Sequence, residues 1–304
     1  MNCLSRSGSR IPAAVLFLVA ILGFAALRAD DLPYRQQKDV VYAEVHGTGL
    51  LMDIFTPRGK SNGLAIVDVV SGAWYSDRNK IRDHTMAQMY SIFCSRGYVV
   101  FAARPGSKTR YTAVDMVQNV ESAIRYAKEH ASEYQIDPAR LGITGASAGG
   151  HLATLTALSP KEGKPDARNP LDRRGTAVKA VGVFFPPTDF VDWSGDGKTA
   201  AADVLGPLLF SGGAHGHTEE ETRAQARAIS PLYQVKGRPE APFFLIHGDA
   251  DKTVPLAHSR KLVDAITAAG GDAKLLVKAG GGHPWPTLPE EVKVLADWFD
   301  ERLK

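Results

Sequence analysis

The chain has 304 residues, 44% of them hydrophobic, enough for one large core, and reads as a single α/β domain. Its formal net charge of +3 comes from the start of the chain: without Met1 to Ala29, which carries Arg6, Arg10 and Arg28 and no acid, 33 basic residues face 33 acidic ones. A near-neutral chain with no basic run speaks against nucleic acid as a partner.

At the N-terminus, Arg6 and Arg10 precede an uncharged apolar stretch from Ile11 to Leu27, and Ala25 and Ala29 offer small residues for cleavage. This layout predicts a secretory signal peptide over residues 1–29 and an exported product, periplasmic or secreted. The stretch is slightly short for a span of roughly 20 residues, so an N-terminal membrane anchor is the alternative, and no stable span is expected once the leader is cut. Cys3 leaves with the leader, and Cys94 then has no partner for an internal disulfide.

Residues 30–304 are the expected catalytic domain. Two alternating runs, Val40 to Val45 and Leu50 to Phe55, flank His46-Gly47-Thr48-Gly49 and predict a hairpin. Short continuous apolar runs follow: Leu64 to Val70, Tyr98 to Ala102, Leu141 to Thr144, Val181 to Phe185, Phe243 to His247 and Leu275 to Val277. Continuous apolarity predicts strands covered on both faces, as in a parallel sheet. Ala113, Val117, Val120, Ile124 and Ala127 recur at helical spacing behind a capping box of Thr112 and Asp115. Leu262, Val263 and Ile266 mark a second helix ended by Gly270-Gly271, and Val292, Leu295, Phe299 and Leu303 mark a last one. The alternation predicts a mostly parallel, eight-stranded sheet with helices on both faces and its ligand site at the carboxyl ends of the strands. Residues 186–238, rich in Gly, Pro and Asp, interrupt the alternation and predict a small lid-like insertion.

Gly145-Ala146-Ser147-Ala148-Gly149 lies between the strand run Leu141 to Thr144 and the helical run His151 to Leu158. Small residues on either side of a serine at a strand-to-helix turn read as a nucleophile elbow, and Ala148 supplies an amide where an oxyanion would develop. A dinucleotide fingerprint fails here, because the position two residues after Gly145 is Ser147. A serine hydroxyl needs a base, and the base needs a carboxylate that fixes its tautomer. In the expected chain order, the loop after the strand at Phe243 offers Asp249 and Asp251, and the loop after the strand at Leu275 offers His283 behind Gly280-Gly281-Gly282. His283 is the expected base. Asp251, further round its loop, is favoured as the acid, with Asp249 suited to a local Asx turn. The loop Ser71-Gly72-Ala73-Trp74-Tyr75 is expected to complete the oxyanion hole, and Trp74 and Trp285 to be apolar walls of the site or packing residues of the core. His215-Gly216-His217 offers only two metal ligands and no nearby third, so no metal or organic cofactor is implied.

With these positions aligned, the chain from about Val40 onward resembles the α/β-hydrolase superfamily, and within it bacterial esterases of the hormone-sensitive-lipase-like and feruloyl or acetylxylan esterase-like groups. The segments that carry the resemblance are Asp53-Ile54-Phe55-Thr56-Pro57, a helix ending in Asp137-Pro138-Ala139-Arg140, the elbow, Pro187-Thr188-Asp189, and His247-Gly248 with Asp251. The resemblance implies a triad of Ser147, Asp251 and His283, oxyanion donors at Gly72, Ala73 and Ala148, and an acyl-enzyme route on short-chain or carbohydrate-linked esters. Many such esterases carry His-Gly-Gly-Gly-Trp where this chain has Val70-Ser71-Gly72-Ala73-Trp74, so the histidine that braces that loop is absent from it. A prolyl-oligopeptidase-like peptidase and a non-catalytic binding protein on the same scaffold are the alternatives. Oligomeric state and the acyl and alcohol groups are not legible in the sequence.

Overall fold

The computed structural model describes residues 31–200 and 202–304, so the expected leader lies outside the described residues. The hairpin comes first: β1 (Tyr34–Val45) and β2 (Thr48–Pro57) pair antiparallel with Val45 opposite Thr48, so the turn is His46-Gly47 alone. Both turn residues have positive φ, 51° and 68°, which matches the twist of the strands on either side. β1 starts well before the expected Val40 because its first half is polar and mostly exposed, leaving no apolar alternation to read.

The six apolar runs become β3 (Ala65–Val69), β4 (Val99–Ala103), β5 (Leu141–Ala146), β6 (Ala180–Phe184), β7 (Phe243–Gly248) and β8 (Ala273–Lys278). The sheet order is β1-β2-β4-β3-β5-β6-β7-β8, with β2 antiparallel to β4 and every pair from β4 onward parallel. β3, β4 and β6 are buried at every position, which is why they read as unbroken apolar runs.

α3 (Ala113–Glu129) begins with the expected capping box: Thr112 accepts from the Asp115 N–H and Asp115 accepts from the Thr112 N–H. It buries Ala113, Met116, Val120, Ala123, Ile124 and Ala127 completely, while Val117 sits at the half-buried edge. Burying Met116, Val120 and Ile124 contributes on the order of 2 kcal/mol each. α3 packs against α4 (Ala148–Ala157), which follows the elbow. On the other face lie α2 (Met89–Ser95) and α8 (Leu288–Arg302), with Leu295 and Phe299 seated over Gly182. A Cβ on Gly182 would lie 2.3 Å from Leu295 Cδ1, so the absence of a side chain lets the helix settle on the sheet.

Outside the expected insertion, two helices have no counterpart in the sequence reading. α1 (Arg78–Met86) buries only Ile81 and His84, too few to make a stripe, and α2 is apolar on nearly every side. α3 ends at Glu129, where its apolar periodicity ends; the helix end that the resemblance placed at Asp137 to Arg140 is instead a separate turn, in which Asp137 accepts from the Ala139 N–H at 2.9 Å. Between β6 and β7, in the stretch expected as an insertion, stand α5 (Ala202–Leu209) and α6 (Glu219–Ala228). α7 (Ala257–Ala268) connects β7 to β8. Among the described residues no helix is long and apolar enough to cross a membrane.

Candidate active site

β5 delivers Ser147 at its carboxyl end, and the chain turns at once into α4. Ser147 holds φ 53° and ψ −121°, a conformation that costs a non-glycine residue roughly 1–3 kcal/mol and persists only where neighbours hold it. Those neighbours are visible. The Ser147 N–H donates to Phe184 O at 3.0 Å, the His151 N–H to Ser147 O at 2.9 Å, and the Gly149 N–H to Ser71 O at 3.1 Å. The small residues of the pentapeptide are steric requirements. A Cβ on Gly149 would lie 2.0 Å from Val69 O, and one on Gly145 would lie 2.5 Å from the Gly149 carbonyl carbon.

Ser147 Oγ lies 2.8 Å from His283 Nε2, and His283 Nδ1 lies 2.6 Å from Asp251 Oδ2. A carboxylate only accepts, so the His283 Nδ1–H donates to Asp251 and Nε2 is left as the acceptor facing the serine hydroxyl. The other oxygen of Asp251 accepts from the Thr253 and Val254 amides at 2.8 and 2.9 Å. Burial alone would raise the Asp251 pKa, but hydrogen bonds from His247, His283 and the Val254 amide outweigh it and hold the carboxyl well below the usual range. The favoured acid and its neighbour have exchanged their expected local roles: Asp251 makes the turn contacts, while Asp249 Oδ1 accepts from the distant Gly280 N–H at 2.7 Å. Ala250 adds an N–H to Gly281 O at 2.9 Å, so the loops bearing acid and base are tied together.

The loop after β3 differs from expectation at one donor. Gly72 N–H donates to Tyr75 O and Tyr75 N–H to Gly72 O, both at 2.9 Å, so the Gly72 amide is committed to closing its own turn. Among the described residues the Ala73 and Ala148 amides have no such partner. Ala73 and Trp74 sit at φ 48° and 60° at the tip of that turn.

A cavity of about 1010 Å³ opens on Ser147 and His283, with Ala73, Trp74, Phe185 and Trp193 among its lining. Trp74 touches it with a largely buried ring, whose Nε1–H donates to His151 Nδ1 at 3.0 Å. Trp285 is not among the lining residues. It packs on Phe185 at 5.6 Å, and its Nε1–H donates to Glu291 at 2.7 Å, so its part is in the core under the His283 loop. Phe185 is the aromatic that meets the His283 ring, at 4.4 Å. Sequence reading passed it over, although its place directly after β6 puts it at the carboxyl edge of the sheet, where site residues collect. Among the described residues no group of three or more His, Cys, Asp or Glu could hold a metal; His217 stacks on Phe210 at 3.7 Å instead.

Residues 52–266 match the sequence profile of the BD-FAE family. The chain belongs to the BD-FAE family. It is similar to the probable carboxylic ester hydrolase LipM of Mycobacterium tuberculosis, 28% identical over 77% of this chain and 52% of the relative. Esterase LipQ of the same organism is 27% identical over 77% and 53%. This BD-FAE chain thus spans about half the length of the curated relatives it matches. Among solved structures it superposes on a truncated form of a carbohydrate esterase from gut microbiota, with TM-score 0.77, 26% identity, and coverage of 90% of this chain and 98% of that one. It also superposes on Thermogutta terrifontis esterase 2 with propionate bound, with TM-score 0.64, 25% identity, and coverage of 88% and 93%. These likenesses confirm the α/β-hydrolase fold of this BD-FAE protein and the expected kinship with esterases.

Proposed function

We propose that the protein is a serine-dependent carboxylic ester hydrolase working through an acyl-enzyme. The observation that carries this reading is the Ser147, His283 and Asp251 relay, at 2.8 and 2.6 Å, opening on a substrate-sized cavity. Ser147 Oγ attacks the ester carbonyl carbon while its proton passes to His283 Nε2; the C–O bond to the alcohol breaks, and His283 returns that proton to the leaving oxygen. Water then adds to the acyl-serine, giving its proton to His283, and the carboxylic acid leaves as Ser147 regains its hydrogen. Asp251 steadies the imidazolium formed in both halves. The unpartnered Ala73 and Ala148 amides, with the positive end of α4, are the groups suited to the tetrahedral oxyanion.

The alcohol we assign is hydroxyl-rich, with a short acyl group. Tyr75 and Trp193 offer aromatic faces in the cavity, and Asp77, Asp196 and Lys198 offer charged hydrogen-bonding groups beside them. The gut carbohydrate esterase, similar over 90% of this chain, supports the same choice. The leader pattern of residues 1–29 supports export. N-terminal sequencing of protein recovered outside the cytoplasm should begin near Asp30, and an intact Met1 in the membrane fraction would favour the anchor.

The test is a panel of activated short-chain esters, acetylated sugars and peptide anilides, run with the leaderless protein beside Ser147→Ala. Hydrolysis of esters but not anilides, falling by at least about a thousandfold in the variant, is the expected result. An ester rate that survives Ser147→Ala would overturn the assignment.

A further inference from the structure

His151 is fully buried on α4 and takes no part in the relay of Ser147, His283 and Asp251. A histidine in such a place needs a reason, because an apolar side chain would fill the space without the cost of desolvating an imidazole. Both ring nitrogens are engaged. Nε2 lies 2.7 Å from Ile229 O, which accepts and so fixes the ring proton on that nitrogen. Nδ1 then carries a lone pair, and it accepts the Trp74 indole N–H at 3.0 Å. Burial, only partly offset by the Ile229 carbonyl, pulls the His151 pKa down to about 4, so the ring stays neutral and the acceptor persists at ordinary pH.

The three anchor points matter more than the bonds themselves. His151 lies one helical turn after Ser147, and its own N–H is bonded to Ser147 O at 2.9 Å, so the ring keeps a fixed offset from the serine. Trp74 belongs to the turn at residues 72–75, whose two tip residues, Ala73 and Trp74, are both left-handed and neither is glycine. Backbone of that kind relaxes unless something holds it. The Gly72 and Tyr75 backbone bonds close the turn, the Gly149 N–H ties its base to the elbow through Ser71 O at 3.1 Å, and the Lys108 N–H holds Trp74 O at 2.8 Å; the side-chain link from the tip to α4 is the indole, seated between His151 at 5.8 Å and Phe190 at 5.7 Å.

We propose that His151 is a positioning residue, whose bond to the Trp74 indole holds the Ala73 amide at a fixed distance from Ser147 for the oxyanion. The proposal rests on the reading of Ser147 as nucleophile. It assigns the bracing of this loop to the helix after the elbow instead of to a residue within the loop. Ile229, the residue that caps α6, extends the brace to the segment between β6 and β7.

A misplaced oxyanion donor lowers the rate of the chemical step more than it weakens substrate binding. The experiment measures kcat and KM for p-nitrophenyl acetate in Trp74→Phe, His151→Leu, the double variant and His151→Asn, with rates normalised to active sites counted by fluorophosphonate labelling. Trp74→Phe and His151→Leu should each lower kcat by about 10- to 100-fold with KM changed less than about threefold, and the double variant should fall no further than either. His151→Asn, whose carbonyl oxygen can take the place of Nδ1, should recover most of the loss. Trp74→Phe removes the indole N–H together with the ring that bears it but keeps an aromatic face toward Phe190, and with His151→Asn it carries the test if His151→Leu does not fold. Single variants that keep kcat, losses that add, or an Asn variant as slow as Leu would overturn the proposal while leaving an active parent enzyme. A parent chain that leaves every ester intact would instead bring down the hydrolase reading.

Discussion

His247 Nε2 lies 3.3 Å from Asp251 Oδ2, the same oxygen that receives His283. The His247 N–H is shared with Val254 O at 2.9 Å, and its other nitrogen faces Ser259 Oγ at 2.7 Å, so the ring is pinned from both ends. Asp251 keeps the Thr253 and Val254 amides if His247 is lost. His247→Phe should therefore cost kcat only about three- to tenfold, whereas Asp251→Asn, which leaves His283 without an acceptor for its Nδ1 proton, should cost about 10³- to 10⁴-fold. Steady-state kinetics on the two variants checks this, and equal losses would mean that His247 governs the acid.

Asp249 is the control for that assignment. Its carboxylate ties the acid loop to the base loop through the Gly280 amide and makes no contact with His283. Asp249→Ala is expected to lower stability by about 1–2 kcal/mol in urea unfolding while kcat stays within about threefold. A folded Asp249→Ala with no activity would reopen the choice between the two carboxylates.

The elbow leaves no room for a methyl group. Because a Cβ on Gly149 would meet the Val69 carbonyl oxygen at 2.0 Å, Gly149→Ala must displace β3 or α4. The expected loss is about 3 kcal/mol or more, seen as low soluble yield or a depressed Tm. A variant with the parent Tm would show slack in the turn.

Acid should weaken the fold before it neutralises the carboxylates. Burial holds both His151 and His258 at about 4, below an ordinary histidine near 6.5. As pH falls from 6.5 toward 4 the unfolded chain takes up protons that the folded one refuses, which costs up to roughly 3 kcal/mol per histidine. His84 has the opposite sign: burial lowers its pKa, but Asp68 at 2.7 Å raises it more, so its contribution is whole below about pH 6.5 and fades as pH rises. Asp251, held low, contributes fully above about pH 4 and loses its share below that. Urea midpoints at pH 7, 5.5 and 4.5 should fall in that order, and a flat series would contradict the buried neutral histidines.

The sequence showed what lies in strands buried on both faces, because β3 and β6 have no polar side to interrupt them. It also showed the relay, because each member sits just past a strand and the chain order restricts the choice. It did not show α1, whose two buried residues make no period, nor the first half of β1, whose polar side chains leave nothing apolar to count. At the site the misses have one cause. Whether Gly72 offers its amide depends on a bond to Tyr75, and whether Trp285 reaches substrate depends on Glu291. Such pairings are facts of three-dimensional closure, and a residue's type and its neighbours in sequence do not encode them. His151 is the plainest case: in the string it is one more residue of a helix, and in the fold it joins α4, the turn at Trp74 and the cap of α6.

β6 runs between β5, which ends at the serine, and β7, which leads to the acid, so the chain leaving β6 emerges in the gap between them. Trp193, Thr199 and Leu205 from that stretch line the cavity, yet none of the relay residues comes from it. Part of the cavity wall is therefore written in a stretch of the gene that carries none of the reacting groups. The borders of the interchangeable stretch are marked by two histidines on the scaffold: His258, which receives the Thr188 amide at 3.0 Å, and His151, which grips the Ile229 carbonyl. A cassette swapped between those two grips would reshape that part of the wall and leave the relay in place.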